Sequence, residues 1–282
     1  MNTIKTGMLM VLLTVLLVLI GSFWGQEGAI FAFAFAIILN FGTYWFSDKI
    51  VLSMYRAKEV DPQQAPELYR TVENLSKRAG LPMPRVYIIS SDTPNAFATG
   101  RNPKNAVIAV TTGLLRALDQ DEVKGVLAHE LSHIKHRDTL ISTIAAAMAG
   151  AITMLASMAR WAAIFGGFGG GDDDDGGNIL GLLFMAILAP LAALMVQMAI
   201  SRSREYAADK SGAEISGSPN GLANALRRME AAVQHRPLNA NPSTAHMFIV
   251  NPLKQSFVTT LFSTHPPIQK RVARLEAMSS ER

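Results

Sequence analysis

No cysteine occurs in the 282 residues, so a disulfide framework and any thiolate-ligated metal site are excluded. Charge is scarce as well. Asp, Glu, Lys and Arg make up 17% of the chain against a hydrophobic share of 49%, which is apolar-rich for an average soluble protein. The small remaining balance is basic, with a net charge of +4 and a pI of about 9.4. Its Lys and Arg residues are scattered, and no basic run is interleaved with aromatics, so the pattern argues against nucleic acid as a partner. There is no internal repeat.

The apolar residues are bunched into four stretches. Residues 6–26 (TGMLMVLLTVLLVLIGSFWGQ) and 28–47 carry no charge, and the second ends in Tyr44, Trp45 and Phe46, an interfacial aromatic signature. About 20 apolar residues cross a hydrocarbon core of about 30 Å, so the two predict a transmembrane hairpin. A signal peptide is the rival reading of the first, but no small-x-small cleavage site is visible and the second run follows at once. Residues 139–165, with Arg160 near the far end, and residues 179–200, free of charge, predict a second hairpin. Both are rich in Ala, Gly and Met, so buried helices of a soluble bundle are the alternative there. The linker GGFGGGDDDDGG (166–177) reads as a flexible solvated loop, with metal binding by Asp172 to Asp175 as the other option.

Lys5, Lys49, Arg56, Lys58, Lys135, Arg137, Arg202 and Arg204 all fall on one side of these spans. Positive flanks face the cytoplasm, so the N-terminus and the polar segments are expected there. No span carries a central ionisable residue, which argues against a channel or transporter. The expected division is a hairpin over 1–47, a polar part over 48–138, a second hairpin over 139–200 and a second polar part over 201–282.

In the polar parts, Pro62, Pro66 and the stop at Gly80-Leu-Pro82 bound a helix within 59–83. RVYIIS (85–90), NAFATG (95–100) and AVIAVT (106–111) predict three short strands in a small antiparallel meander, within an otherwise mainly α fold. A helix capped near Asp119 or Asp121 carries VKGVLAHELSHIKHRD, and further helices are expected over SRSREYAADKSGAEI, about 220–234 and 267–278.

His129-Glu-Leu-Ser-His133 has the spacing H-E-x-x-H. Two His at i and i+4 lie one turn apart on one helical face and can converge on one Zn²⁺, while Glu130 faces the same cleft and can take a proton from water. A catalytic zinc wants a third protein ligand and an open position. His136 would need three ligands along one regular helix. Glu205 is the better candidate, because two intervening spans return the chain to the same side, and Asp209, at i+4, can hydrogen-bond a ligand His and fix its tautomer. The ligands then sit roughly 8 to 15 Å beyond the span ends, which makes membrane-adjacent polypeptides natural substrates.

Four spans, HELSH at the start of the third, SREYAAD after the fourth, NAFATG upstream and THPP near the end resemble the membrane-bound M48 metallopeptidases, in particular their bacterial heat-shock members. The resemblance implies one zinc per chain, a gluzincin-like domain facing the cytoplasm of a bacterial inner membrane, and endopeptidase action on misfolded or damaged membrane proteins under stress. It implies zinc ligation by His129, His133 and Glu205, with Asp209 behind them. It also implies a substrate-binding strand at Asn95, Ala96 and Phe97 that pairs with an extended peptide, and a His-Pro motif at His265 and Pro266 followed by Arg271. His265 or Asn95 is the expected further hydrogen-bond donor to the reacting carbonyl. His246, in a Pro-rich loop, is a candidate fourth metal ligand in a resting state. The competing class is a membrane scaffold with a closed structural metal site.

Overall fold

The computed structural model describes residues 2–22, 25–149, 202–235, 244–251 and 266–280. The acidic linker, the remainder of the third apolar stretch, all of the fourth and His265 lie outside the described residues. The chain opens with α1 (Asn2–Ser22) and α2 (Gly25–Met54), which turn back on each other as an antiparallel hairpin. Close approach near the turn requires Gly21, where a Cβ would lie 2.5 Å from Ala32 Cβ and from Gly28 O. Further along, Asn40 donates to Thr14 Oγ1 at 2.8 Å and to Met10 O at 3.3 Å. Small residues at the crossing and a polar clamp across it are how helices associate without a hydrophobic drive. All exposed large apolar side chains among the described residues belong to α1 or α2, a surface that water does not tolerate and lipid does.

Among the described residues one helix, α2, is long and apolar enough to cross a membrane. The apolar part of α1, Ile4–Leu19, and the described part of the third stretch, α6 (Asp138–Ala149), are shorter. Ile141, Ile144, Ala145 and Met148 of α6 pack on Leu9 and Leu13 of α1, so the third apolar helix joins the hairpin.

The polar part is built on a four-stranded sheet: β1 (Lys58–Glu59), β2 (Arg85–Ile89), β3 (Ala96–Thr99) and β4 (Val107–Thr111), in the spatial order β1-β2-β4-β3. The sheet is mixed, which corrects the antiparallel meander expected from sequence. β3 and β4 form the antiparallel hairpin, but β2 runs parallel to β4 on its other side. The cause is residues 90–95, which carry the chain across the end of β4 instead of turning back on β2. Thr111 Oγ1 donates to Thr93 O and accepts from Asn95 N, and Gly113 N donates to Ser91 O. Gly113 is required there, since a Cβ would lie 2.1 Å from Asp92 O. β3 is thereby left as an outer edge.

Helices α3 (Pro66–Ala79), α4 (Thr112–Ala117), α5 (Gln120–Lys135), α7 (Arg202–Ser216), α8 (Pro219–His235) and α9 (Ile268–Ser280) surround this sheet. α3 stops at Gly80, whose φ of 70° is the left-handed conformation that glycine adopts without strain. α5 is central. It packs against α3, β3, α7 and α8 and is buried continuously from Gly125 to Ser132, with Val126, Leu127 and Leu131 in the main core.

Candidate metal centre

The start of α5 sets the register of everything that follows. Asp119 accepts from the backbone N–H of Asp121 and Glu122, and the Glu122 side chain returns a bond to Asp119 N, a complete capping box. His129 and His133 then lie one turn apart on the face turned to α7. α7 lies against α5 at Gly212, where a Cβ would sit 2.9 Å from His129 Cα. Glu205, Asp209 and Gly212 are at i, i+4 and i+7, so a backbone-to-backbone contact at Gly212 turns both carboxylates toward the histidines.

His129 Nε2 and His133 Nε2 are 3.2 Å apart, His133 Nε2 is 3.6 Å from Glu205 Oε1, and His129 Nε2 is 4.0 Å from Glu205 Oε2. A tetrahedral ion with bonds of about 2.0–2.1 Å holds its ligands about 3.3 Å apart. The donor set of two imidazoles and one carboxylate therefore fits a zinc ion with small adjustments of the Glu205 rotamer. The three ligand atoms lie within 4.8 Å of one another and form the one such group among the described residues.

Each histidine is backed by a carboxylate, and each carboxylate by an arginine. His129 Nδ1 meets Asp209 Oδ1 at 3.1 Å, and Arg271 donates to both Asp209 oxygens, from Nη2 at 2.6 Å and Nε at 2.9 Å. Arg271 also donates from Nη1 to Ile249 O at 3.1 Å and lies 3.7 Å from Glu205. On the other side, His133 Nδ1 lies 3.4 Å from Asp138 Oδ2, and Arg204 Nη1 3.6 Å from Asp138 Oδ1. Such partners orient the ring and raise its basicity toward a metal. Asp138 stands where it does because α5 ends at His136 and a tight turn through Arg137, at φ 57°, leads directly into α6.

The charges follow from burial and these pairs. Burial holds His129 down at about 4, below the ordinary imidazole value. Burial pulls His133 the same way, but the hydrogen bond to Asp138 and the Glu205 charge outweigh it and lift His133 to about 9. Burial would raise Asp209, yet the Arg271 guanidinium keeps it at about 2. Glu130 is pushed up to about 7, chiefly by burial, and lines the cleft together with Ala98 of β3.

Five residues expected from sequence, His129, Glu130, His133, Glu205 and Asp209, are brought together. Asn95 is fully buried, but its side-chain amide is engaged by the backbone of Val250 and it is not among the residues that line the cleft. His136 is exposed, with Nδ1 2.8 Å from Ser132 O, and stands outside the ligand group. His246 lines the same cleft with Nε2 3.1 Å from Ser142 O and is not one of the three converging ligands. His265 lies outside the described residues, as do Asp172 to Asp175. Sequence reasoning gave Asp138 and Arg204 no part in the site and gave Arg271 no role beyond following the His-Pro motif. The available signal was that both Asp138 and Arg271 lie within a turn or two of a motif residue.

Because α7 touches α5 through backbone at Gly212, Gly212→Ala must push Glu205 and Asp209 away from the histidines. We expect its zinc dissociation constant to rise at least about tenfold, as loss of ligand support commonly does. Chelator competition on detergent-purified protein reads this directly, and wild-type affinity would show that the two helices can separate without moving the ligands.

Comparison with known proteins agrees with this construction. Residues 62–279 match the family model described as Peptidase family M48. A protein named "Protease HtpX homolog" from Desulfatibacillum aliphaticivorans is 59% identical over 97% of this chain and 89% of its own length. One of the same name from Thermococcus kodakarensis is 59% identical over 99% of this chain and 96% of its own length. Among solved structures, S. mikatae Ste24p superposes with a TM-score of 0.52 at 19% identity, over 93% of this chain and 62% of that one, a likeness of fold. With the family model covering most of the chain and full-length relatives above half identity, this chain is a member of peptidase family M48.

Proposed function

We propose that the chain is a zinc-dependent endopeptidase held in a membrane, with its catalytic part on the cytoplasmic side, that hydrolyses misfolded or damaged membrane polypeptides. The observation that carries this reading is the convergence of His129, His133 and Glu205 within 3.2–4.0 Å, with the buried Glu130 carboxylate in the same cleft. The names borne by the relatives point to the same activity. The cleft is lined by Thr139 and Ser142 of α6, the helix that packs on the apolar hairpin, so it opens beside the segments expected at the membrane. That placement supports membrane polypeptides as substrates.

His129, His133 and Glu205 would hold zinc, which would supply a Lewis acid for the attacking water and the scissile carbonyl. The rest is done by the chain. Glu130 takes the proton of the attacking water and returns it to the leaving amine. Its burial, which favours the protonated acid in the metal-free site, suits it to hold that proton between the two steps. Asp209 and Asp138 hold the two imidazoles with Nε2 turned inward. The outer edge of β3 receives the substrate backbone in extended form, and His265 is assigned as a hydrogen-bond donor to the developing oxyanion.

The test uses detergent-purified protein and fluorescein-labelled casein as an unfolded probe. Chelation should abolish cleavage, and about one equivalent of zinc per chain should restore it. Cleavage that survives chelation would overturn the zinc reading. Tight zinc binding with no cleavage of casein or of a membrane-inserted peptide would favour a scaffold with a structural metal.

A further inference from the structure

The segment from Thr244 to Val250 holds a single 3-10 turn, Ala245–Met247, and no strand, yet it is wholly buried. Its backbone explains why. Ile249 N donates to Ala96 O at 3.2 Å, Val250 N to Asn95 Oδ1 at 3.4 Å, and Asn95 Nδ2 to Val250 O at 2.8 Å. The Ile249 carbonyl is held by Arg271 Nη1. Residues 249 and 250 thus pass residues 96 and 95 in the antiparallel sense.

The edge they cover is the one a substrate needs. Asn95 O accepts from Thr111 N on the sheet side, so alternate residues Ala96 and Ala98 present their backbone groups outward. Ala98 lines the cleft together with Glu130. The outward Ala96 carbonyl is one of the acceptors open to a peptide strand, and Ile249 occupies it. A second observation agrees. The cleft bounded by His246, Met247, Phe248 and Ile249 on one side and the ligand group on the other has a cavity volume of about 40 Å³. That holds an ion and a few waters at most, far below the roughly 300–1,000 Å³ of a ligand pocket.

We infer that Thr244–Val250 is an internal strap lying on the substrate edge of β3, which a peptide must displace before it can reach the ligand group. This rests on the reading of β3 as the substrate edge. The strap is anchored at several points outside that edge. The Phe248 ring meets Phe97 and Tyr55 edge-on, with centroids 5.2 and 5.1 Å away, Thr244 hydrogen-bonds the Tyr55 hydroxyl, and His246 bonds α6. Tyr55 directly follows α2, so the strap is tied to both apolar elements that flank the cleft. Displacing it makes substrate binding a competition between two chains for one set of backbone groups, and apparent affinity falls by the fraction of protein with the strap released.

The experiment uses full-length Glu130→Gln protein with zinc in detergent, which binds without cutting, and casein as the probe. Amide hydrogen exchange of residues 244–251 should rise on casein binding, while residues 107–111 of β4 stay protected. Unchanged or slower exchange of the strap in the bound protein would overturn the proposal. Ile249→Pro removes the N–H that Ala96 accepts. In the same background it should bind casein about tenfold more tightly. With Glu130 present it should lower KM by a similar factor. Unaltered affinity in a variant that keeps its zinc would overturn the proposal. If the variant loses zinc through misfolding, the exchange measurement on the unsubstituted strap decides alone. Strap release and tighter binding without cleavage by any Glu130-containing protein would count against the peptidase reading and leave the strap in place.

Discussion

Glu130→Gln is expected to keep about one zinc per chain and to lose peptide hydrolysis by a factor on the order of 10²–10⁴, the usual worth of a positioned general base. The substitution removes one thing. Gln has nearly the shape of Glu, and Glu130 is not among the three converging ligand atoms. Zinc content and casein cleavage, measured in parallel, separate binding from chemistry. Cleavage at the wild-type rate would end the mechanism. A stability measurement adds a second handle. In chelated protein, burial raises Glu130 from 4.5 to about 7, so the folded state binds the proton more tightly than the unfolded state. The contribution of Glu130 to stability is then fully present below about pH 4.5 and is lost as pH rises through about 7, a change on the order of 3 kcal/mol. The variant lacks that contribution, so the stability of wild type relative to the variant should fall by that amount as pH rises across the window.

The parts of this architecture that were legible in the sequence are those encoded by local periodicity. The i, i+4 spacing of His129 and His133, the Asp119 cap and the Glu205–Asp209 pair are each visible within one or two helical turns. The β3–β4 hairpin was legible because its turn, Arg101 to Lys104, is short and polar. The sheet order was not, because it depends on residues 90–95 crossing β4 at Gly113, a contact no pattern in either segment announces. Arg271 and Asp138 read in sequence as ordinary surface charges. Arg271 sits on an amphipathic helix, and only the packing of α9 on α7 and α8 buries it completely. The strap was illegible for a different reason. It is held through backbone groups, which every residue carries, so its side chains give no sign of what it covers.

Arg271→Met should be the most disruptive single change in the polar part. The guanidinium is fully buried and donates to both oxygens of Asp209 and to Ile249 O. Met fills a similar length but donates nothing, so Asp209 is left as a buried carboxylate without its partner. Breaking a buried pair in this way costs about 3–5 kcal/mol, which for a chain of this size is a fall in Tm of about 10 °C. Asp209 then no longer has the charge that keeps it at about 2, and burial drives it toward the neutral acid, a weaker support for His129. Zinc affinity should fall about 10–100-fold as a result. The two effects are separable. Replacing Asp209 by Leu in the same protein removes the orphaned carboxylate and should recover much of the lost Tm, while zinc affinity stays low because His129 still has nothing to orient it. If Arg271 were only a packing element, removing Asp209 would recover neither quantity. If it acts through Asp209 on the metal ligand, thermal unfolding and zinc competition will move apart.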